Sequence, residues 1–146
     1  MYKPYVVIPN VVPEPLCDEM VKESKHYNEQ LAGVMWKDKP DLKKDRNSNI
    51  RFYPIDHWIV PKLCDLANKV NDEHYHFMCI QLSNFEDYKG GNFFIKDFNN
   101  KQHKPEEFKN KGDLLVFPSF LLHQVTEVKG GKRYSLVCWF MGPSFQ

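Results

Sequence analysis

The hydrophobic period changes near residue 77, and that change sets the fold class. Before it, apolar residues recur at helical spacing. Leu16, Met20 and Val21 do so within residues 14–30, with Pro13 and Pro15 marking the entry to a helix. Trp58, Ile59, Leu63, Leu66 and Val70 do so within residues 56–73, where Asp56 is the expected N-cap and Pro61 falls in the first turn. After residue 77 the pattern alternates. MCIQLSN, NFFIKDF, DLLVFP, LHQVTEV and RYSLVCWFM are short and rich in aromatic or β-branched residues, and turn-forming stretches such as YKGGN and VKGGKR separate them. Helices followed by antiparallel strands predict an α+β chain with its helices on one face of the sheet. Residues 33–49 are polar and aperiodic and read as a loop, and residues 51–53 read as a short strand. The 146 residues are one domain's length and can bury a core without staples. The expectation is a single domain over 1–146, with helical support in 1–77 and a β core in 78–146.

Composition narrows the partners. Twenty Lys and Arg against nineteen Asp and Glu leave a net charge of +1. That balance gives no electrostatic drive toward nucleic acid or a membrane surface. No apolar run approaches the roughly 20 residues of a spanning helix. The opening MYKPYVVIPNVVPEP is broken by prolines and lacks a signal-peptide pattern. A cytoplasmic protein is expected. Cys17, Cys64, Cys79 and Cys138 stand singly, without CxxC spacing, and read as buried free thiols. Phe93, Phe94, Phe98, Phe117, Phe120, Trp139 and Phe140 are expected on the inner faces of the sheet.

Chemistry concentrates in residues 81–140. Leu114–Phe117 is an apolar strand entered through Gly112-Asp113 and broken by Pro118 and Ser119. The next strand opens at His123. Arg133 opens the last strand ten residues later, just past a Gly130-Gly131 turn read as a hairpin. The two side chains are therefore expected on neighbouring strands. A neutral imidazole there can ligate a first-row metal, and a guanidinium can clamp a carboxylate through two donors. Taken alone, His123 also reads as a core histidine and Arg133 as a surface charge.

The strings LSNFEDYKGGNF and GDLLVFPSFLLHQVTEV, with the His-x9-Arg spacing, resemble the iron(II)/2-oxoglutarate-dependent dioxygenases, in their prolyl-4-hydroxylase-like branch. The resemblance implies an antiparallel double-stranded β-helix, or jelly roll, of eight core strands with N-terminal helices. It implies His123 as the distal metal ligand and Arg133 as the partner of the 2-oxoglutarate tail. It implies iron(II) and 2-oxoglutarate, with ascorbate as a further cofactor, and hydroxylation of a prolyl or other side chain on a peptide, protein or small molecule. Residues 43–46, LysLysAspArg, read as a solvated loop that in such proteins borders the substrate entrance.

One family feature is missing. The other two metal ligands come as His-x-Asp or His-x-Glu, yet none of the six histidines here has an acidic residue two positions on. About five strands are counted after residue 77, and no turn residue separates the helix ending near Glu73 from the strand opening at Met78. The expectation is that the segment carrying the first core strands and the His-x-Asp is absent. His74, His76 and His123 together would lack a carboxylate and favour zinc or copper over iron. Solvated residues are the plainer reading of His74 and His76, an exposed one of His103, and packing or surface roles of His26 and His57. A second function class therefore stays open: a catalytically dead relative serving as a binding or structural module. A cupin-like metal or sugar binder is a weaker third, because its paired histidine and glutamate motifs are not present.

Overall fold

The computed structural model of the chain describes residues 3–31, 48–70 and 77–139. Its frame is a four-stranded antiparallel sheet that runs in the order β1 (Val6–Ile8), β8 (Leu114–Phe117), β4 (Phe77–Gln81), β11 (Ser135–Trp139). A second sheet orders β7 (Gln102–His103), β6 (Phe93–Lys96) and β9 (His123–Val125). Two short ribbons complete the strands: β2 (Gln30–Leu31) with β3 (Asn49–Ile50), and β5 (Tyr88–Gly90) with β10 (Val128–Gly131). The helices are α1 (Glu14–Ser24) and α2 (Ile59–Val70).

Alternation along β4 and β8 builds three layers. Met78, Ile80, Leu114 and Val116 face one side and pack against Cys17 and Met20 of α1 and Ile59, Leu63, Leu66 and Val70 of α2. Phe77, Cys79, Leu115 and Phe117 face the other side and pack against Phe93 and Ile95 of the second sheet. Every residue of β4 is buried, as expected of a strand covered on both faces. The α2 stripe recurs at helical spacing, and each of its large apolar side chains contributes about 1.5–3 kcal/mol by leaving water.

The α+β expectation holds, with helices on one face of the larger sheet. Several local expectations change. Eight strands follow residue 76 among the described residues, three more than counted, because β5 and β10 hold glycine stretches read as turns and β7 is only two residues long. The amino-terminal VVI, inside the stretch assigned to helical support, is a strand that pairs with β8. The strand expected at residues 51–53 lies at Asn49–Ile50. The first amide of α2, Ile59 N–H, is accepted by His57 Nδ1 at 3.3 Å rather than by Asp56. Cys17 and Cys79 are buried as expected, whereas Cys64 is exposed. Phe98, Phe120 and Trp139 are more than half exposed, so of the named aromatics Phe93 and Phe117 form the inner layer. The junction at residues 71–76, His74 and His76 with it, lies outside the described residues, as do Phe140 and residues 43–46. Among the described residues, no helix is long and apolar enough to cross a membrane.

Candidate functional site

His123 opens β9, which pairs with β6 in the register Ile95↔His123. Ile95 belongs to the layer between the sheets, and an antiparallel partner shares its face. The imidazole lies at the open edge of that layer, and His123 is exposed. It lies 5.1 Å from the Phe77 ring, 4.9 Å from Phe117, and parallel to Phe93 at 6.0 Å. Its Nδ1 sits 2.9 Å from the carbonyl oxygen of Leu121. A carbonyl only accepts, so Nδ1 carries the proton and donates. The lone pair then resides on Nε2, the tautomer of a metal-binding histidine.

Arg133 lies two residues before β11, in phase with Ser135 and Val137. Ser135 pairs with Gln81 and Val137 with Cys79, so Arg133 also turns toward the layer between the sheets. Its Nη1 donates to Ser135 Oγ at 3.5 Å, and its buried Nε has no partner. Among the described residues it joins no ion pair. Burial pushes the neighbouring Cys79 thiol up, so that group stays neutral and offers no counter-charge.

The expected strand neighbourhood is not what joins the two residues. β9 pairs with β6, and the strand after Arg133 pairs with β4. Gly130-Gly131 is not a hairpin turn between them. It belongs to β10 and crosses β5, with Gly131 opposite Tyr88. At Gly131 φ is +73°, and a Cβ would lie 2.0 Å from the Asp87 carbonyl oxygen. The glycine answers a close backbone approach, which in sequence looks the same as a turn. Phe93 is what links the pair: it stacks on His123 and also lines a cavity of about 260 Å³ shared with Arg133, Gln81 and Tyr88.

That cavity contains residues the sequence reading missed. Gln81 is 1% exposed, donates from Nε2 to the Tyr88 hydroxyl at 2.6 Å, and leaves Oε1 without a partner. The available signal was a lone amide in the apolar run MCIQL. Lys104 and Lys109 also line the cavity and add positive charge, while Glu106 pairs with Lys104 at 3.4 Å. Gly91 makes room: a Cβ there would come within 3.1 Å of both Arg133 Cδ and the Tyr88 ring.

Of the other described histidines, His26 is exposed, while His57 and His103 are held in structural contacts. His57 is buried, with Nε2 2.5 Å from Glu23. His103, expected to be exposed, is tucked against Asp97 at 2.8 Å in the β6–β7 turn.

Residues 63–141, more than half of the chain, match the 2OG-Fe(II) oxygenase superfamily. The chain belongs to that superfamily. Superfamily relatives include a PKHD-type hydroxylase of Prochlorococcus marinus strain MIT 9312, 38% identical over 61 residues. That stretch covers 41% of this chain and 26% of the relative. A second, from strain NATL1A, is 42% identical over 55 residues, covering 37% of this chain and 23% of the relative. The chain thus matches about a quarter of the length of these hydroxylases.

Superfamily membership implies iron(II) and 2-oxoglutarate, and the residues fit the two unequally. The unpartnered Nε–H of Arg133, in a cavity also lined by Lys104 and Lys109, suits a carboxylate, whereas the free Gln81 Oε1 is an acceptor and does not. For the metal, the described residues bring no three His, Cys, Asp or Glu side chains together. His123 alone does not make an iron site, because iron(II) stands low in the divalent affinity order and needs several converging ligands.

Proposed function

We propose that this chain holds the carboxylate end of 2-oxoglutarate, and that the reaction its fold serves is the superfamily's oxidative hydroxylation of a prolyl or other side chain. The observation that carries the reading is Arg133, a cation facing a cavity between the sheets with its Nε–H unpartnered and no ion-pair partner among the described residues. A carboxylate would satisfy that donor and neutralise the charge. The His123 tautomer supports a ligand role for Nε2. The metal end would need two further ligands beyond those described.

A non-catalytic binding module is the second reading, favoured by the single imidazole at the site. The first reading requires the carboxylate pocket and the second does not, so binding tests the first before turnover does. Titration of 2-oxoglutarate into the purified chain by calorimetry should give saturable binding. Arg133→Lys keeps the charge but loses the planar fork, and should weaken binding by about 1–3 kcal/mol. Equal affinities would remove Arg133 from the pocket.

A further inference from the structure

We infer that the open edge of β11 is an interface between two copies of this chain, which join β11 to β11 in antiparallel register and continue the four-stranded sheet across a two-fold axis. The surface lies outside the pocket reading and does not depend on it.

The inference starts from how the sheet edges differ. Among the described residues, the two larger sheets end on β1, β11, β7 and β9. β1 is three residues long and lies between Pro4 and Pro9. β7 is two residues long and lies between Lys101 and Lys104. β9 is three residues long. Short strands, prolines and lysines are the devices that keep a sheet edge from pairing with another chain. β11 has none of them. It runs for five residues, SLVCW, without a charge, a proline or a glycine. Trp139 at its end is 64% exposed, and the other four residues are half-buried.

Backbone phase makes this edge complementary to itself. Leu82 N–H donates to the Tyr134 carbonyl at 3.0 Å, and the register sets Ser135 opposite Gln81. Tyr134, Leu136 and Cys138 therefore turn their amides and carbonyls to β4, and those of Ser135, Val137 and Trp139 point to the open side. An antiparallel copy centred on Val137 uses those groups and no others. Val137 meets Val137, Ser135 meets Trp139, and each pair exchanges two hydrogen bonds. Leu136 then faces Cys138 across the ribbon. Charge selects the direction. Lys132 and Arg133 precede the strand, so an antiparallel pair holds the two basic ends apart, whereas a parallel pair would set like charges side by side. Each copy offers the other the same patch, as a two-fold interface requires. Opposed residues share a face, so Trp139 of the second copy falls beside Ser135, the acceptor of Arg133 Nη1.

Sedimentation equilibrium on the purified chain, from micromolar to millimolar concentration, tests this. The mass should rise from that of one chain to that of two and stop there. Val137→Pro leaves the β4 ladder intact but takes two hydrogen bonds from the symmetric pair, and should weaken association about ten-fold. Trp139→Lys sets a cation beside Arg133 of the second copy and should weaken it by a similar factor. Because Trp139 is exposed, that variant keeps the test decisive if the proline variant fails to fold. Val137→Cys gives the positive signal. Residues opposed in a hydrogen-bonded antiparallel pair lie about 5.5 Å apart at Cα, within disulfide range. Oxidised glutathione should therefore convert Val137→Cys to a dimer whose bridge, mapped by mass spectrometry of a digest, joins residue 137 to residue 137. A parent chain that stays monomeric or goes on to larger species overturns the inference. So does a dimer unchanged in the folded variants, or one in which the 137-to-137 bridge does not form.

Discussion

At Gly91 a single methyl group would meet three side chains, those of Arg133, Tyr88 and Val128, each at 3.1 Å. The backbone there has φ +60°, a conformation that costs an alanine about 1–2 kcal/mol. Gly91→Ala should therefore act twice. It should lower the melting temperature, and it should weaken 2-oxoglutarate binding by displacing Arg133. Melting curves and calorimetry on the same sample separate the two effects, and a destabilised variant with wild-type affinity would show that Gly91 only shapes the turn. Residue-scale chemistry was partly legible in the sequence. His123 and Arg133 were singled out by the His-x9-Arg spacing within the family-like strings, since taken alone they also read as a core histidine and a surface charge. Gln81 was not, since a glutamine inside MCIQL carries no period of its own. Its importance comes from burial and from the Tyr88 hydroxyl, which only the fold brings to it.

The elements are tied together at a carboxylate. Glu23 near the end of α1 accepts from Trp58 Nε1 at 3.0 Å and meets His57 just before α2. These bonds, the Trp58 donor foremost, hold the Glu23 carboxyl below the usual glutamate range. Because its folded value is lowered, the stability it lends is full above the ordinary value and is lost as pH falls through the lowered one. Thermal melts from pH 6 down to 3 should therefore show Glu23→Gln losing less stability on acidification than the parent. Asp97 and Glu107 are also held low, by His103 and Lys3, so both proteins retain some acid slope. Identical slopes would mean the Glu23 contacts do not persist in solution. At this scale α2 and β8 were legible because their patterns span whole turns or whole strands. The hairpin between His123 and Arg133 was misread. Gly130-Gly131 permits a turn, but pairing with β5 takes it into a strand instead, a long-range contact that local sequence does not encode.

For the whole molecule, one buried phenylalanine, Phe93, stacks on the histidine of β9 and lines the same cavity as the arginine that precedes β11. The layer between the sheets was foreseeable as an inner face, though its boundaries were not: aromatics assigned to it at Phe98, Phe120 and Trp139 are largely exposed. Among the described residues, β9 and β11 each end their sheets, so the flank beside His123 is open. The proposal at stake is that Arg133 clamps the co-substrate beside one imidazole, and that the described residues do not by themselves make a metal centre. Succinate formation from 2-oxoglutarate, with iron(II) and ascorbate supplied, tests it most directly. The chain of 146 residues should form none above the protein-free control, whereas a version carrying an inserted His-x-Asp strand should form it. Succinate from the unaltered chain at a rate matching the inserted version would contradict the account and place the metal ligands elsewhere.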